Sequence, residues 1–274
     1  MITVRELEFG FQSLSSRGQA VIAHGSYKSL GPVDGGPTTV IEALVRSTST
    51  LMMPAFTYDT MLTPLVGPPN NAVDYVAEDE KRREQEARKD YLGPIPFKPN
   101  MPVDKEIGVL AETLRRRPDA KRSLHPILSF TGVNAEFALD RQTIYDPFGP
   151  IGALAEKNGW VLLIGVDHKV NTSIHYAEKL AGRKQFIRWA LTPKRVVECP
   201  AFPGDSAGFQ AIAEYLENDT DVITIGNARV EAIPLNRLLD KVKLLIKQDP
   251  LALLCQRKTC ERCNAVRDSV RRPD

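Results

Sequence analysis

The chain has no run of about 18 apolar residues, so a membrane-spanning helix is excluded. It has little net charge, +2 over 274 residues. Its pI near 8.3 falls short of the value above about 9 that marks most nucleic-acid-binding domains, and its basic residues are not clustered. The opening residues, Met1 to Phe9, carry charges where a secretory signal needs an apolar core, and the expected location is cytoplasmic. A phosphate-binding G-x-x-x-x-G-K-S/T loop is missing. So is a dinucleotide G-x-G-x-x-G after the first apolar strand. Cysteine is scarce. Cys199, Cys255, Cys260 and Cys263 read as reduced structural thiols of a cytosolic protein. The C-x4-C-x2-C spacing of the last three leaves a zinc reading open, with Cys199 as the fourth ligand, but the second ligand pair of the usual zinc patterns is absent.

What is present is an ordinary soluble composition, 42% apolar and 26% charged, which suits a globular enzyme. Apolar runs and helical patterns alternate from the start. Arg5 to Arg17 predicts a helix closed by Gly18. Ala20 to Ala23 predicts a buried strand. His24 to Gly36 is a loop rich in Gly and Ser. Pro37 to Arg46 predicts a helix with Pro in its first turn. Thr50 to Pro54 predicts a second strand, which completes a βαβ unit. Further on, Asp104 to Arg116 reads as an amphipathic helix capped by Asp104, and Ile127 to Thr131 as a strand. Ala135 to Asp140 and Ala153 to Asn158 read as short helices, and Val161 to Val166 as a buried strand. Phe186 to Leu191 and Lys194 to Glu198 read as antiparallel strands, followed by a helix from Ala207 to Glu217. Val222 to Ile233 is a hairpin turning near Gly226 and Asn227. Leu235 to Gln248 is a helix. The simplest reading is one α/β domain over residues 1–274 with an antiparallel C-terminal part and a Cys-containing tail at about 250–274.

Residues 59–104 interrupt this alternation. Prolines crowd both ends, and mixed charges at helical spacing predict an exposed helix over residues 75–91. Such an excursion is either solvated surface or a wall of a substrate site.

Two places carry chemistry. Asn171-Thr-Ser-Ile-His-Tyr-Ala-Glu178 opens like a capped helix just past the strand closed by Gly165. His175 then lies near the first turn, at the carboxyl end of a core strand, where open α/β sheets bind ligands. A histidine there can take a proton from an amine near neutral pH, or can support the turn alone. The loop from Ser26 to Gly36 offers backbone N–H groups, Ser26, Ser29 and a following helix N-terminus. Lys28 and Arg122 add positive charge. The loop is a site for a phosphate or pyrophosphate, or a tight turn that needs glycine.

The stretch His24-Gly-Ser-Tyr-Lys-Ser-Leu-Gly-Pro-Val-Asp-Gly-Gly-Pro-Thr-Thr-Val-Ile-Glu-Ala-Leu44 resembles the first signature of the aminoglycoside 3-N-acetyltransferase family. Met52 to Thr57 resembles the strand after it. Arg122-Ser-Leu-His-Pro126 resembles the family's R-S-x-H-P block, Asn171 to Glu178 its N-T-S-x-H-x-A-E block, and Gly226-Asn-Ala228 a late element. The blocks occur in family order. The resemblance implies a non-GNAT α/β fold with a central mixed sheet flanked by helices. It implies acetyl transfer from acetyl-CoA to an amine, typically the 3-amine of a 2-deoxystreptamine aminoglycoside, as in antibiotic resistance. Carried over, His175 is the general base, with Glu178 or Asp167 as the acid that orients it. Ser26, Tyr27, Lys28, Ser29, Gly31, Gly35 and Gly36, with Arg122 and Ser123, hold CoA. Direct transfer requires no metal. Tyr27 stands where the family usually has Leu, and would narrow the CoA entrance. A polycationic substrate asks for carboxylates, and Asp59, Asp74, Glu78, Asp79 and Glu80 are candidates. Two alternatives remain: an acyltransferase for a non-aminoglycoside amine in natural-product biosynthesis, and a non-catalytic CoA-binding module. The expected partners are a small amine and CoA, with no nucleic acid and no membrane, in a monomer or homodimer.

Overall fold

A computed structural model describes residues 1–88 and 93–271. Among the described residues, ten strands form two sheets. They are β1 (Ala20–Gly25), β2 (Thr50–Pro54), β3 (Met61–Leu62), β4 (Lys121–Arg122), β5 (Phe130–Val133), β6 (Trp160–Ile164), β7 (Phe186–Leu191), β8 (Val196–Phe202), β9 (Asp221–Ile225) and β10 (Ala228–Pro234). The larger sheet has the order β4-β5-β2-β1-β6-β10-β9, and the smaller one β3-β7-β8. In the larger sheet β2, β1 and β6 run parallel, and antiparallel neighbours extend both sides. This is a mixed α/β sheet. The antiparallel hairpin β9–β10 pairs directly onto β6, while β7 and β8 leave to form the second sheet with β3.

The central strands are apolar on both faces because helices cover both. One face packs on the helices Val4–Ser13, Gly36–Ser47 and Val109–Arg115 through Leu7, Val40, Leu44 and Leu110. The other packs on Gly149–Glu156, Thr172–Leu180 and Leu235–Gln248 through Ile151, Ile174 and Leu238. No helix among the described residues is long and apolar enough to cross a membrane.

Several predicted boundaries move. The first helix ends at Ser13, whose Oγ donates to Gly10 O at 2.7 Å, and Gly18 sits in a later turn at φ +70°. The Asp104 carboxylate does not cap a helix. It accepts from Glu106 N at 2.9 Å, and the helix begins at Val109 after Gly108 at φ +93°. The helix Gly149–Glu156 starts earlier than predicted, with Pro150 accommodated in its first turn. Residues 207–217 break into 3-10 turns around the single α-turn Ala213–Leu216. The charged helix is observed at Tyr75–Glu86, capped by Asp74 and burying no residue. The predicted continuation through 89–91 lies outside the described residues, as do 272–274 of the tail.

Candidate active site

The chain passes from β1 to β2 on one side, then returns to place β6 on the other side of β1. Helices after β1 and β6 therefore depart to opposite faces and leave a crevice at the strands' carboxyl ends, the usual ligand position in open α/β sheets. His24 and Gly25 pair with Leu163 and Ile164 there. Both predicted chemical segments follow at once, Ser26 to Gly36 from β1 and Gly165 to Glu178 from β6. Gly165 lies at φ +59°, and a Cβ on it would stand 1.7 Å from Ser29 Oγ. A side chain is thus excluded for two reasons, backbone conformation and space.

The crevice opens into a cavity of about 1130 Å³. His175 reaches its wall from the helix Thr172–Leu180, whose cap is the Asn171 side chain accepting from Ser173 N. The imidazole lies parallel to Phe148 (18°, centroids 6.1 Å apart) and edge-on to Phe209 (4.7 Å). Its Nδ1 is 3.0 Å from Glu178 Oε2. The helical spacing of three residues makes that contact possible. The other oxygen, Glu178 Oε1, accepts from Arg183 Nη1 at 2.7 Å, and both side chains are 2% exposed. Arg183 Nη2 donates in turn to the carbonyls of Pro250 and Ala252, each at 2.8 Å. A buried carboxylate costs several kcal/mol in desolvation unless paired and hydrogen-bonded, and Arg183 meets that condition. With Nδ1 donating to Glu178, Nε2 is the nitrogen free to act as a base toward the cavity.

Asp167, the other acid considered beside His175, lies elsewhere. Its carboxylate accepts from Lys169 N at 2.9 Å and pairs with Lys169 Nζ at 3.0 Å. Of the loop residues, Ser26, Tyr27 and Lys28 line the cavity. Ser29 Oγ donates to Ser26 O at 2.6 Å and braces the turn. Gly31, Gly35 and Gly36 supply positive φ (+86°, +71°, +70°). Arg122 and Ser123 do not line the cavity. Arg122 Nη2 donates to Ala55 O at 2.6 Å, Nη1 donates to the Met101 carbonyl, and Nε bonds Ser129 Oγ. Burial pushes this guanidinium down to about 10. Ser123 Oγ accepts from Phe130 N at 2.8 Å. Both residues hold the β4–β5 turn.

Among the candidate carboxylates only Glu78 reaches the wall. Asp74 caps its helix, and Asp79 pairs with Arg82 and Arg83. Sequence reasoning missed Asp104 as a cavity acid, and Glu106 and Arg188 entirely, although all three face the cavity. Arg183 was missed too. Its only local signal was its place five residues after Glu178, since its other partners are 67 and 69 residues away. Three further histidines are buried, His24, His125 and His168. Burial, then the charge of His168, hold His24 down at about 3. Burial holds His125 at about 4, where its Nδ1 accepts from Ile127 N and Leu128 N. Cys199 lies buried in β8, its thiol pushed up to about 12 by burial, and does not join the other three cysteines.

A family model described as aminoglycoside 3-N-acetyltransferase matches residues 22–247. The chain belongs to the aminoglycoside 3-N-acetyltransferase family. Within this family it is 30% identical over 177 residues to aminoglycoside N(3)-acetyltransferase IV of Salmonella sp., covering 60% of this chain and 53% of that protein. It is 34% identical over 182 residues to aminoglycoside N(3)-acetyltransferase VII of Streptomyces paromomycinus, covering 62% and 58%. The match therefore spans little more than half the length of these relatives. The fold agrees with the crystal structure of the acetyltransferase AAC(3)-IVa as apoenzyme, with a TM-score of 0.77 at 24% identity over 98% of both chains. A mutant of that enzyme has been solved with a gentamicin (TM-score 0.74, 24% identity, 98% and 97% covered). A family neighbour, AAC-IIIb, has been solved with CoASH (TM-score 0.68, 22% identity, 90% and 97% covered).

Proposed function

We propose that this protein transfers the acetyl group of acetyl-CoA to an amine, most specifically the 3-amino group of a 2-deoxystreptamine aminoglycoside. The observation that carries the reading is the chain His175–Glu178–Arg183 opening onto a cavity between two family signatures. Family membership and the neighbours solved with CoASH and with a gentamicin supply the two substrates.

In the proposed step His175 Nε2 accepts a proton from the substrate ammonium, and Glu178 stabilises the imidazolium that forms. The freed amine lone pair attacks the thioester carbonyl carbon. Its π electrons move to oxygen, and the tetrahedral intermediate then expels the CoA thiolate. The His175 imidazolium returns its proton to the thiolate, the amine's second proton leaves to solvent, and amide and CoASH result. The backbone N–H groups of Tyr27 and Lys28 begin a short helix, have no acceptor within it, and lie on the cavity wall. They suit the oxyanion. The wall carries both charges that the two substrates require. Glu78, Asp104 and Glu106 suit a cationic amine, and Lys28, Lys105 and Lys169 suit CoA phosphates.

The test is thiol release from acetyl-CoA with aminoglycosides and unrelated amines, for the wild type and His175→Ala. Turnover with 2-deoxystreptamine compounds, lost by roughly 10²–10⁴-fold in the variant with acetyl-CoA binding retained, is expected. Full activity in the variant refutes the base. Turnover only with other amines moves the assignment to a biosynthetic acyltransferase.

A further inference from the structure

Cys255, Cys260 and Cys263 converge with Asp205, so that one donor atom from each lies within 4.8 Å of all the others. None of the three thiols is in a disulfide, and all are buried. We propose that these four side chains bind one zinc ion as a structural site. The geometry is close to what the ion needs. A tetrahedral site with Zn–S near 2.3 Å and Zn–O near 2.0 Å separates its donors by roughly 3.5–3.8 Å. A contraction of about an ångström closes it. Three thiolates with one carboxylate in four-fold array select zinc over hard cations, which take oxygen ligands.

The surroundings match the charge of such a site. Cys260 immediately precedes the helix Glu261–Arg271 and Cys263 lies in its first turn, where the helix dipole favours thiolates. Arg257 Nη2 is 2.8 Å from Asp205 Oδ2, Arg262 Nη2 is 3.7 Å from the same atom, and Arg267 donates to the Cys255 carbonyl. These cations offset the excess negative charge of three thiolates and a carboxylate around a divalent ion. Asp205 Oδ1 accepts from Ala207 N at 2.9 Å, which fixes the carboxylate's orientation. A lone carboxylate–arginine pair explains Asp205 but gives no reason for three buried thiols to meet it.

The position gives the site a role. Asp205 and Cys260 also belong to the cavity wall. Cys255 follows shortly after Pro250 and Ala252, whose carbonyls hold Arg183. The ion would pin the segment from Cys255 through the helix Glu261–Arg271 to the loop after β8. It would thereby keep the wall and the Arg183 anchor in place.

The test is elemental analysis of protein purified without chelator or affinity-tag histidines, followed by cobalt substitution of the reduced apoprotein. One equivalent of zinc is expected, as are the thiolate-to-cobalt charge-transfer and tetrahedral d–d bands. Cys199→Ser should retain the metal. Cys260→Ser/Cys263→Ser should lose it. Asp205→Asn, which keeps all thiols, should weaken zinc binding by at least the roughly 10–100-fold that loss of an outer hydrogen-bond partner costs a metal site. Failure of the reduced wild-type protein to take up zinc or cobalt overturns the proposal, whether or not the double variant folds. Full metal content in a folded double variant overturns it equally.

Discussion

Glu178 bridges His175 and Arg183, one carboxylate oxygen to each, at 3.0 Å and 2.7 Å. One buried acid therefore orients an imidazole toward the cavity and neutralises a guanidinium beneath it. Glu178→Gln removes the charge from both contacts. Acetyl-transfer kcat is expected to fall roughly 100-fold or more, with KM for acetyl-CoA little changed. Breaking a buried pair from one side should also cost about 3–5 kcal/mol of stability. Steady-state kinetics beside a denaturant titration separate the two effects, and an unchanged kcat would show that Glu178 only supports the fold.

Buried neutral histidines set an acid limit. Folded His24 and His125 hold pKa values of about 3 and about 4, below the ordinary 6.5. The unfolded chain therefore binds protons that the folded chain refuses once pH drops below 6.5. Stability is full above that pH and declines down to the folded values, by about 1.4 kcal/mol per pH unit for each histidine. Urea titrations at pH 7.5 and pH 5 should show the decline. His125→Asn keeps an acceptor for Ile127 N and Leu128 N and should flatten the slope; an equally steep slope in that variant rejects the assignment.

Gly165→Ala should be disproportionately harmful. The new Cβ meets Ser29 Oγ at 1.7 Å and sits on a backbone at φ +59°. Ser29→Gly removes the collision but leaves the strained φ, so the double variant should recover only part of the lost stability. Thermal melts and acetyl-CoA titrations of the three variants check this ordering.

Glu106→Gln removes one carboxylate from the cavity wall without touching the His175 chain. KM for a polycationic amine should rise several-fold, more at low salt than at high salt, while KM for acetyl-CoA stays constant. A change confined to acetyl-CoA would place the amine elsewhere.

The sheet was legible where local pattern and tertiary demand agree. Thr50–Pro54 and Leu235–Gln248 are found as predicted, because each must bury a regular apolar face. The strand read at Val161 to Val166 is found at Trp160–Ile164, and its end was legible because the residue that follows, Gly165 in the left-handed region, has to be glycine. The disagreements come from distant partners. Asp104 resembles a helix cap, but it accepts from Glu106 N and Ile107 N in a separate turn, and the helix starts only after Gly108. Arg122 resembles a phosphate ligand, but carbonyls of residues 55 and 101 claim it. Asp205 lies fifty positions from Cys255, and no spacing rule connects them. Near the site, His175 and Glu178 share a helical turn and could be read together; Arg183 and Asp205 needed the fold.

The helix Tyr75–Glu86 contributes Glu78 to the cavity yet buries none of its own residues. Apart from Tyr75, which packs on Trp189 and accepts from Asn71, substitutions on its exposed positions should cost little in folding. If the proposed function holds, the side chains that meet the amine can be exchanged there while His175 and the loop from Ser26 to Gly36 stay fixed. On that reading, recognition and structural integrity are decoupled at that wall, and new substrates can be acquired by single mutational steps.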